Sequence, residues 1–392
     1  MTCCSPRTRG ILLLEDSEAL QTALLQWYSE NARDLPWRRT SDPYAIWVSE
    51  VMLQQTQVVT VIPYFLRFME LFPTVGDLAS ADAQLLAAAW SGLGYYTRMR
   101  QLHLAAQQVM EVHGGDIPST WESFHALPGV GDYTAGAVLS MAYGKPYPAV
   151  DANAKRVLSR LLCVSEPIDK SATHARLRTA AHSLLPPRQA GRFNQAVMEL
   201  GALVCTSRRP GCVDCPLSHW CLAHQAGLEQ QLPTRSPRKQ AKRVKRVAAA
   251  LWRDERLLFV QRQEGPLAGF PELPAVELNE GETVADALER LVRSVASLGL
   301  SVTAGEDLGG AHHAFSHRIW DVQVYTLQWA DGQVAEESQP IAGATLANNH
   351  TPSSSEAFSS PVWLSPTEAH QTGLPVAIRK VLDVALASSR TI

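Results

Sequence analysis

Cys205, Cys212, Cys215 and Cys221 follow the spacing C-x6-C-x2-C-x5-C within seventeen residues. Four thiolates this close, in a reducing compartment, point to a metal centre, and both zinc and a [4Fe–4S] cluster accept four sulfurs. Zinc sites favour two tight C-x2–4-C pairs, and only one pair here is that tight, which favours iron–sulfur. Cys3, Cys4 and Cys163 lack such spacing. A second candidate site is made of backbone. Gly129-Val130-Gly131 follows Leu127-Pro128 and precedes Asp132-Tyr133-Thr134-Ala135. Two glycines two apart permit a tight turn with positive φ and let a ligand approach closely. A helix starting at about Asp132 would aim its free N–H groups and dipole at an anion such as phosphate, without reading sequence. Two carboxylates complete the set. Glu50 is the only acid between Asp42 and Glu70, in a strongly apolar stretch where burial would raise its pKa. Asp151, in Ala149-Val150-Asp151-Ala152-Asn153, has helix N-capping as its plain structural role. A carboxylic acid kept neutral near pH 7 can protonate a leaving group, and an ionised one can stabilise a developing cation. Such a pair needs one dry and one polar environment.

These residues must be held by helices first and strands later. Apolar positions recur at three and four in 17–29, 44–59, 83–90 and 101–113, and a short helix fits 119–125, so residues 15–227 read as all helical. Pro36, Pro63, Pro73, Pro118, Pro128 and Pro146 fit breaks or first turns better than helix interiors. Gln54 and Gln55 follow Glu50 by four and five residues, near the same helical face or its edge. Gly92-Leu93-Gly94-Tyr95-Tyr96-Thr97-Arg98 offers an aromatic wedge beside a cation, with core packing expected for one tyrosine. Residues 228–246 read as an exposed basic linker, with seven cations between Arg235 and Arg246 that form either a solvated charge run or contacts to phosphate. Val244–Trp252 and Arg256–Arg262 then form a hairpin around Asp254-Glu255. A helix fits 283–297, a strand 320–329 and a final helix 375–387, which makes an α+β domain, and 331–360 looks like a long insertion.

The chain has 392 residues, 46% hydrophobic and 19% charged, enough for two or three domains. Its net charge of −3 conceals a split. Residues 1–263 hold 29 Arg/Lys and 22 Asp/Glu, a balance of +7, and residues 264–392 hold 6 and 16, a balance of −10. Only the first part can meet a polyanion through bulk charge. No apolar run reaches the ~18 residues of a membrane span, and Ile11–Leu14 is short for a signal-peptide core. A cytoplasmic location without disulfides or membrane partners is therefore expected.

After an all-helical segment, the cysteine pattern resembles the endonuclease III superfamily of DNA glycosylases, whose cysteine loop carries a [4Fe–4S] cluster and touches DNA. Arg208 and Arg209 lie between the first two cysteines and would supply the loop's positive charge. The string L-P-G-V-G-D-Y-T-A resembles a helix–hairpin–helix element, with Asp132 a departure. W-V-S-E-V-M-L-Q-Q-T-Q-V closely resembles the catalytic helix of MutY-type adenine DNA glycosylases, which implies Glu50 as the acid that protonates the leaving base. V-D-A-N-A-K-R-V resembles the family's V-D-G-N-V-x-R-V, with Ala152 replacing Gly. It implies Asp151 as the carboxylate that stabilises the oxocarbenium-like sugar, supported by Asn153. Tyr133 stands where strand-cleaving members carry a Schiff-base lysine, so a monofunctional enzyme is expected, with Tyr133 near the sugar and Asp151. The resemblance also implies that Gln55, beside Gln54, and Tyr95 enter the duplex near the opposite base.

The acidic domain has a strand and helix order compatible with a Nudix fold. Its Glu282, Asp286 and Glu289 do not form the R-E-x-x-E-E cluster that would hold Mg²⁺, so recognition is expected rather than hydrolysis. His312-His313-Ala314-Phe315-Ser316-His317-Arg318 reads as a hairpin tip, and its three histidines, with no acid or cysteine nearby in sequence, do not argue for metal. The string resembles the H-x-F-S-H loop of the MutY C-terminal domain, which detects 8-oxoguanine. Ser316 would accept from the lesion's N7–H, with Phe315 and His317 positioning the tip.

Together these readings imply a helix–hairpin–helix glycosylase domain with an iron–sulfur loop at 15–227, a basic linker at 228–246 and a Nudix-like lesion-recognition domain at 247–389. The implied protein is a monomeric base-excision enzyme on duplex DNA that removes adenine opposite 8-oxoguanine or guanine. The alternatives are an endonuclease III-like glycosylase/lyase for damaged pyrimidines and a non-catalytic iron–sulfur DNA-binding or redox-sensing protein. Tyr133 and the extra domain speak against the first. The joint occurrence of Glu50, Asp151 and Tyr133 speaks against the second.

Overall fold

The computed structural model describes residues 16–237, 240–265, 267–315, 317–330 and 358–387. Ser316, Arg238, Lys239 and the expected insertion as far as residue 357 lie outside the described residues. The chain divides into two compact units, Met1–Ser80 with Arg100–Arg238 and Ala81–Met99 with Lys239–Ile392.

In the first unit, α1 (Ser17–Asn31), α2 (Pro43–Leu53), α3 (Val58–Leu71) and α4 (Val75–Ala79) come first. α5 (Ala83–Trp90) belongs to the second unit, and α6 (Tyr96–His113) contains the boundary. α7 (Trp121–His125), α8 (Asp132–Tyr143), α9 (Ala152–Leu161), α10 (Ser171–Ser183), α11 (Ala190–Leu203) and α12 (Leu222–Gln225) complete the first unit. Nine of the eleven residues of α2 are buried, which is why its sequence is apolar all round rather than amphipathic. Asp42 starts it by accepting from the N–H groups of Tyr44 (3.0 Å) and Ala45 (3.3 Å), with Pro43 in the first turn. α2 packs on α8, and α9 and α1 both pack on α11. Leu20, Leu24, Val157, Leu161, Phe193 and Leu200 fill the core between them.

The apolar run 44–59 is two helices, not one. α2 ends at Leu53, Gln55 turns at φ 60°, and α3 starts at Val58. Pro63 lies inside α3, against expectation. The N–H it lacks would have met the carbonyl of Val59, which is 72% exposed, so water can take that carbonyl instead.

The basic linker is also shorter and better anchored than expected. Ile168 donates its N–H to the Thr234 carbonyl (3.1 Å), the Thr234 hydroxyl donates to Ser165 (2.6 Å), and Ser236 donates its N–H to Asp169 (2.8 Å). Lys242, Arg243, Lys245 and Arg246 are already strand. Arg246 points inward, buried, and pairs with Glu272 at 2.9 Å, so this cation is not available to solvent.

The second unit holds β1 (Lys242–Arg253), β2 (Arg256–Gln261), β3 (Pro271–Glu272), β4 (Ala275–Glu277), α13 (Val284–Ala296), β5 (Val302–Ala314), β6 (Arg318–Trp329), β7 (Ser359–Leu364), α14 (Pro366–Gln371) and α15 (Val376–Ala387). The sheet runs β3-β2-β1-β6-β5, with β4 on β1 and β7 on β2. β1 and β6 are parallel from Lys242↔Arg318 to Leu251↔Leu327, and β5 and β6 are antiparallel. Alternation along β1 sends Val247, Ala249 and Leu251 to a core with Ala287, Leu291 and Val295 of α13. Arg246 and Ala248 face the other way, toward Ile378 and Val381 of α15. The sheet is thus covered on both faces. β3, β4 and β7 were not anticipated from the sequence, and of β5 only its end at the hairpin tip was. No described helix is long and apolar enough to cross a membrane.

Candidate active site

One cavity of about 790 Å³ opens in the first unit, lined by Glu50, Gln54, Gln55, Tyr133, Asp151 and Asn153, all selected from sequence. α2 supplies Glu50, buried at 4% exposure. Burial pushes its carboxyl up to about 7, against the hydrogen bond that the Tyr133 hydroxyl donates to it, while the Asp151 charge pushes it further up. Tyr133, in the first turn of α8, therefore contacts Glu50, with its hydroxyl also 3.6 Å from the Met198 sulfur. The phenol is itself held well above its usual range by burial and by the Glu50 and Asp151 charges.

Asp151 caps α9 and also lines the cavity, so its structural and chemical roles coincide. Its carboxylate accepts from the Ala154 N–H (2.6 Å) and the Asn153 amide (3.0 Å). Burial raises its pKa, and these bonds with the Arg156 charge offset only part of the rise. Asn153 is fixed from behind. Arg156 donates to Asn153 (2.8 Å), to the Gly201 carbonyl (2.6 Å) and to the Cys205 carbonyl (2.7 Å). Gly201 is required there, because a Cβ would lie 2.7 Å from that of Asn153.

Several cavity residues escaped the sequence reading. Glu199 of α11, 1% exposed, is clasped by two arginines. Arg33 bonds it through Nε (2.8 Å) and Nη2 (2.7 Å), and Arg38 through both Nη atoms (3.0 and 2.8 Å). Burial pushes Glu199 up, but these bonds outweigh it and bring its pKa to about 2. Glu199 is the only acid between Asp169 and Asp214, the same lone-acid signal that marked Glu50. Lys155 also lines the cavity, with its pKa lowered by burial. Gln54 is the C-cap of α2 and donates to Thr134 (3.2 Å), and Gln55 is exposed beyond the helix end, so neither shares a helical face with Glu50.

The hairpin forms as expected, with one refinement. Gly129 takes φ 73° and would clash with Gln101 if it carried a Cβ (2.6 Å), whereas Gly131 is extended and caps α8. Val130 is buried and donates its N–H to Leu127 (3.1 Å), so donors for an anion would come from Gly129, Gly131 and the first turn of α8. Asp132, the departure from the hairpin pattern, is paired with Arg178 and lies 3.1 Å from a His125 ring nitrogen.

All four cysteines of the motif are half-buried. Among the described residues, no three or more His, Cys, Asp or Glu side chains group so as to hold a metal ion. Burial pushes Cys215 up to about 12, and Cys205, Cys221 and Cys212 each add to the rise. Buried Arg160 ties the loop down, donating to the Cys205 sulfur (3.2 Å) and to the carbonyls of Thr206 (2.6 Å), Ser207 (3.2 Å) and Leu232 (2.8 Å). Four half-buried thiols on one loop, with the Arg160 guanidinium at the Cys205 sulfur, fit an iron–sulfur cluster in donor type. Arg208 and Arg209 are exposed on this loop, away from the cavity lining.

In the second unit, Phe315 and His317 lie between β5 and β6, with the Phe315 N–H donating to Arg318 (2.8 Å). Phe315 is half-buried against Trp320 (ring centroids 4.8 Å), and His317 is exposed. The acid missing near the histidines in sequence is supplied across the strands, where Asp321 bonds His312 at 2.7 Å. Glu282, Asp286 and Glu289 are each engaged locally, by Arg290 (2.9 Å), by the Thr283 capping box and by Arg293 (3.7 Å). Tyr95 is not part of the cavity and belongs to the second unit.

Residues 48–182 match the model of the HhH-GPD superfamily base excision DNA repair proteins, and residues 247–384 match the NUDIX domain. A thermostable thymine-DNA glycosylase has a similar structure, with a TM-score of 0.50 and 28% identity, covering 54% of this chain and 98% of that one. The adenine DNA glycosylase of Rattus norvegicus is 36% identical over 425 residues, spanning 95% of this chain and 78% of that protein. That of Homo sapiens is 34% identical over 423 residues, spanning 93% and 74%. A helix–hairpin–helix glycosylase unit joined to a Nudix-like unit defines the class, and within it the chain belongs to the adenine DNA glycosylase family of base-excision repair enzymes.

Proposed function

We propose that this enzyme hydrolyses the N-glycosidic bond of adenine placed opposite 8-oxoguanine, and opposite guanine, in duplex DNA. The observation that carries the chemistry is Glu50, dry, hydrogen-bonded by a neutral phenol, raised to about 7, and facing the same cavity as Asp151. A flipped adenine is a poor leaving group as an anion, so Glu50 delivers a proton to the base as the bond breaks. Asp151, held by Asn153 and the Ala154 N–H, stabilises the cationic sugar as a carboxylate until water adds at C1′ and gives its proton back to Glu50. The products are free adenine and an abasic site. Tyr133 has no amine, so the strand is not cut by a Schiff base at this position. Because the Lys155 amine also lines the cavity, borohydride trapping of a protein–DNA adduct is compared between the wild type and Lys155→Ala, with no adduct expected in either. Strand cleavage concurrent with base release, with Tyr133→Phe unchanged, would contradict the monofunctional reading.

The hairpin, Arg208 and Arg209 hold phosphates, and Gln54, Gln55 and Tyr95 brace the duplex around the vacated position. Phe315 and His317 form the flanks of a tip that reads the opposite base, with Ser316 accepting from the N7–H of 8-oxoguanine. Cys205, Cys212, Cys215 and Cys221 hold a [4Fe–4S] cluster, which when bound cross-links the loop that presents Arg208 and Arg209. The protein acts as a monomer in the cytoplasm. Single-turnover adenine release from A:8-oxoguanine, A:G and A:C duplexes tests the assignment. The expected order has A:8-oxoguanine first, and release of oxidised pyrimidines instead would contradict it.

A further inference from the structure

Two elements assigned to the opposite base share one unit. Tyr95 lies in Ala81–Met99, which clusters with Lys239–Ile392, the segment that carries Phe315 and His317. Tyr95 is 45% exposed and sits at φ 51°, a left-handed conformation that a tyrosine keeps only when its surroundings hold it. Arg98 grips its ring from one side, with the guanidinium 5.1 Å from the ring centre and 5.8 Å from that of Trp90. Tyr96 is buried, edge-on to Phe270 with ring centroids 4.6 Å apart, and its hydroxyl lies 3.5 Å from the Gly373 carbonyl.

From Phe270 a chain of contacts leads to the hairpin. Its carbonyl accepts from the Arg262 N–H at 2.9 Å. The Arg262 guanidinium lies 4.8 Å over the Trp320 ring and is fixed by Glu272 at 2.9 Å. Trp320 in turn meets Phe315 edge-on at 4.8 Å. Phe270, Arg262 and Trp320 are all buried. Close-packed interiors transmit displacement instead of absorbing it. A shift of the Phe270 ring would therefore move Tyr96, and with it the backbone of Tyr95, relative to the hairpin.

We propose that Phe270 is a positioning residue which, through Tyr96, fixes the Tyr95 wedge relative to the Phe315 hairpin, so that the two probes of the opposite base are set as a pair. The inference rests on the reading of Tyr95 and the hairpin as contacts to that base. Phe270 touches no nucleic acid in this scheme. Its effect is on discrimination, whereas a merely structural role would slow both substrates together and leave their ratio unchanged.

The test compares single-turnover adenine release from A:8-oxoguanine and A:G duplexes for the full chain, Phe270→Leu, Tyr95→Ala and the double variant. We expect Phe270→Leu to lower the rate ratio about fivefold when Tyr95 is present and by less than about twofold when it is Ala, the signature of coupled residues. Equal losses in both backgrounds overturn the proposal while leaving the wedge reading intact. A wild-type ratio in Tyr95→Ala alone overturns the wedge reading, and the proposal with it. Tyr96→Leu removes the same ring pair from its other side and must give the same pattern. It carries the test if Phe270→Leu does not fold.

Discussion

Glu50 and Glu199 face one cavity from two helices, at 4% and 1% exposure, and their carboxyl pKa values are shifted in opposite directions. Burial pushes both carboxyls up. At Glu50 the only opposing hydrogen bond comes from a phenol, and the pKa settles at about 7. At Glu199 two guanidiniums supply charged bonds, and it falls to about 2. Burial therefore sets the stakes, and the partners decide the outcome. One acid is kept ready to give a proton, and the other is a permanent anion that anchors Arg33 and Arg38 in the wall.

The comparison can be broken most severely at Glu50. Glu50→Gln keeps shape and neutrality but has no proton to give, so single-turnover adenine release should fall at least ~10³-fold, with duplex affinity retained. The same variant should be more stable where Glu50 is forced to ionise. Its folded pKa is above the ordinary 4.5, so the native state loses stability as pH rises from about 4.5 to about 7. Thermal unfolding should thus show Glu50→Gln stabilised by up to about 3 kcal/mol at pH 8 and unchanged at pH 4. Stabilisation equal at both pH values would contradict a raised carboxyl.

At Glu199 the expected sign is reversed. Glu199→Gln leaves two cations without their anion, one of them partly solvated, and should cost about 2 kcal/mol in denaturant unfolding. The freed Arg38 charge should also lower the Glu50 pKa, moving the alkaline limb of the rate profile below that of the wild type. The smallest effect is expected at Tyr133→Phe. Removing the hydrogen bond that opposes burial should raise the Glu50 pKa, shift the same limb upward by less than about one unit, and reduce the rate by less than about tenfold. A downward shift would mean that Tyr133 stabilises the acid form.

Much of this contrast was legible in the sequence, and its limits have physical causes. Glu50 stood out because an acid in an apolar run is conspicuous. Glu199 carried the same signal, but its partners lie 161 and 166 residues away, and no local pattern announces a pair of that separation. The hairpin was readable because Gly129 needs a positive φ. The end of α2 was not, because Gln54-Gln55-Thr56-Gln57 contains neither glycine nor proline. Pro63 was judged a breaker because sequence does not show that the carbonyl it orphans faces water. The length of β5 was missed because Gly305, Gly309 and Gly310 weaken its strand pattern, and its pairing with β6 is interrupted by bulges. Arg246 looked like part of a solvated charge run, and only the alternation of β1 and the arrival of Glu272 reveal a buried ion pair.

The central claim is that Glu50 supplies its proton from a carboxyl raised to about 7 by burial. The most direct measurement is the pH dependence of single-turnover adenine release at saturating enzyme. The account expects a plateau at lower pH that falls about tenfold per unit above about pH 7, with the falling limb absent from the residual activity of Glu50→Gln. A rate unchanged from about pH 6 to about pH 9, or a falling limb that survives in Glu50→Gln, would contradict it.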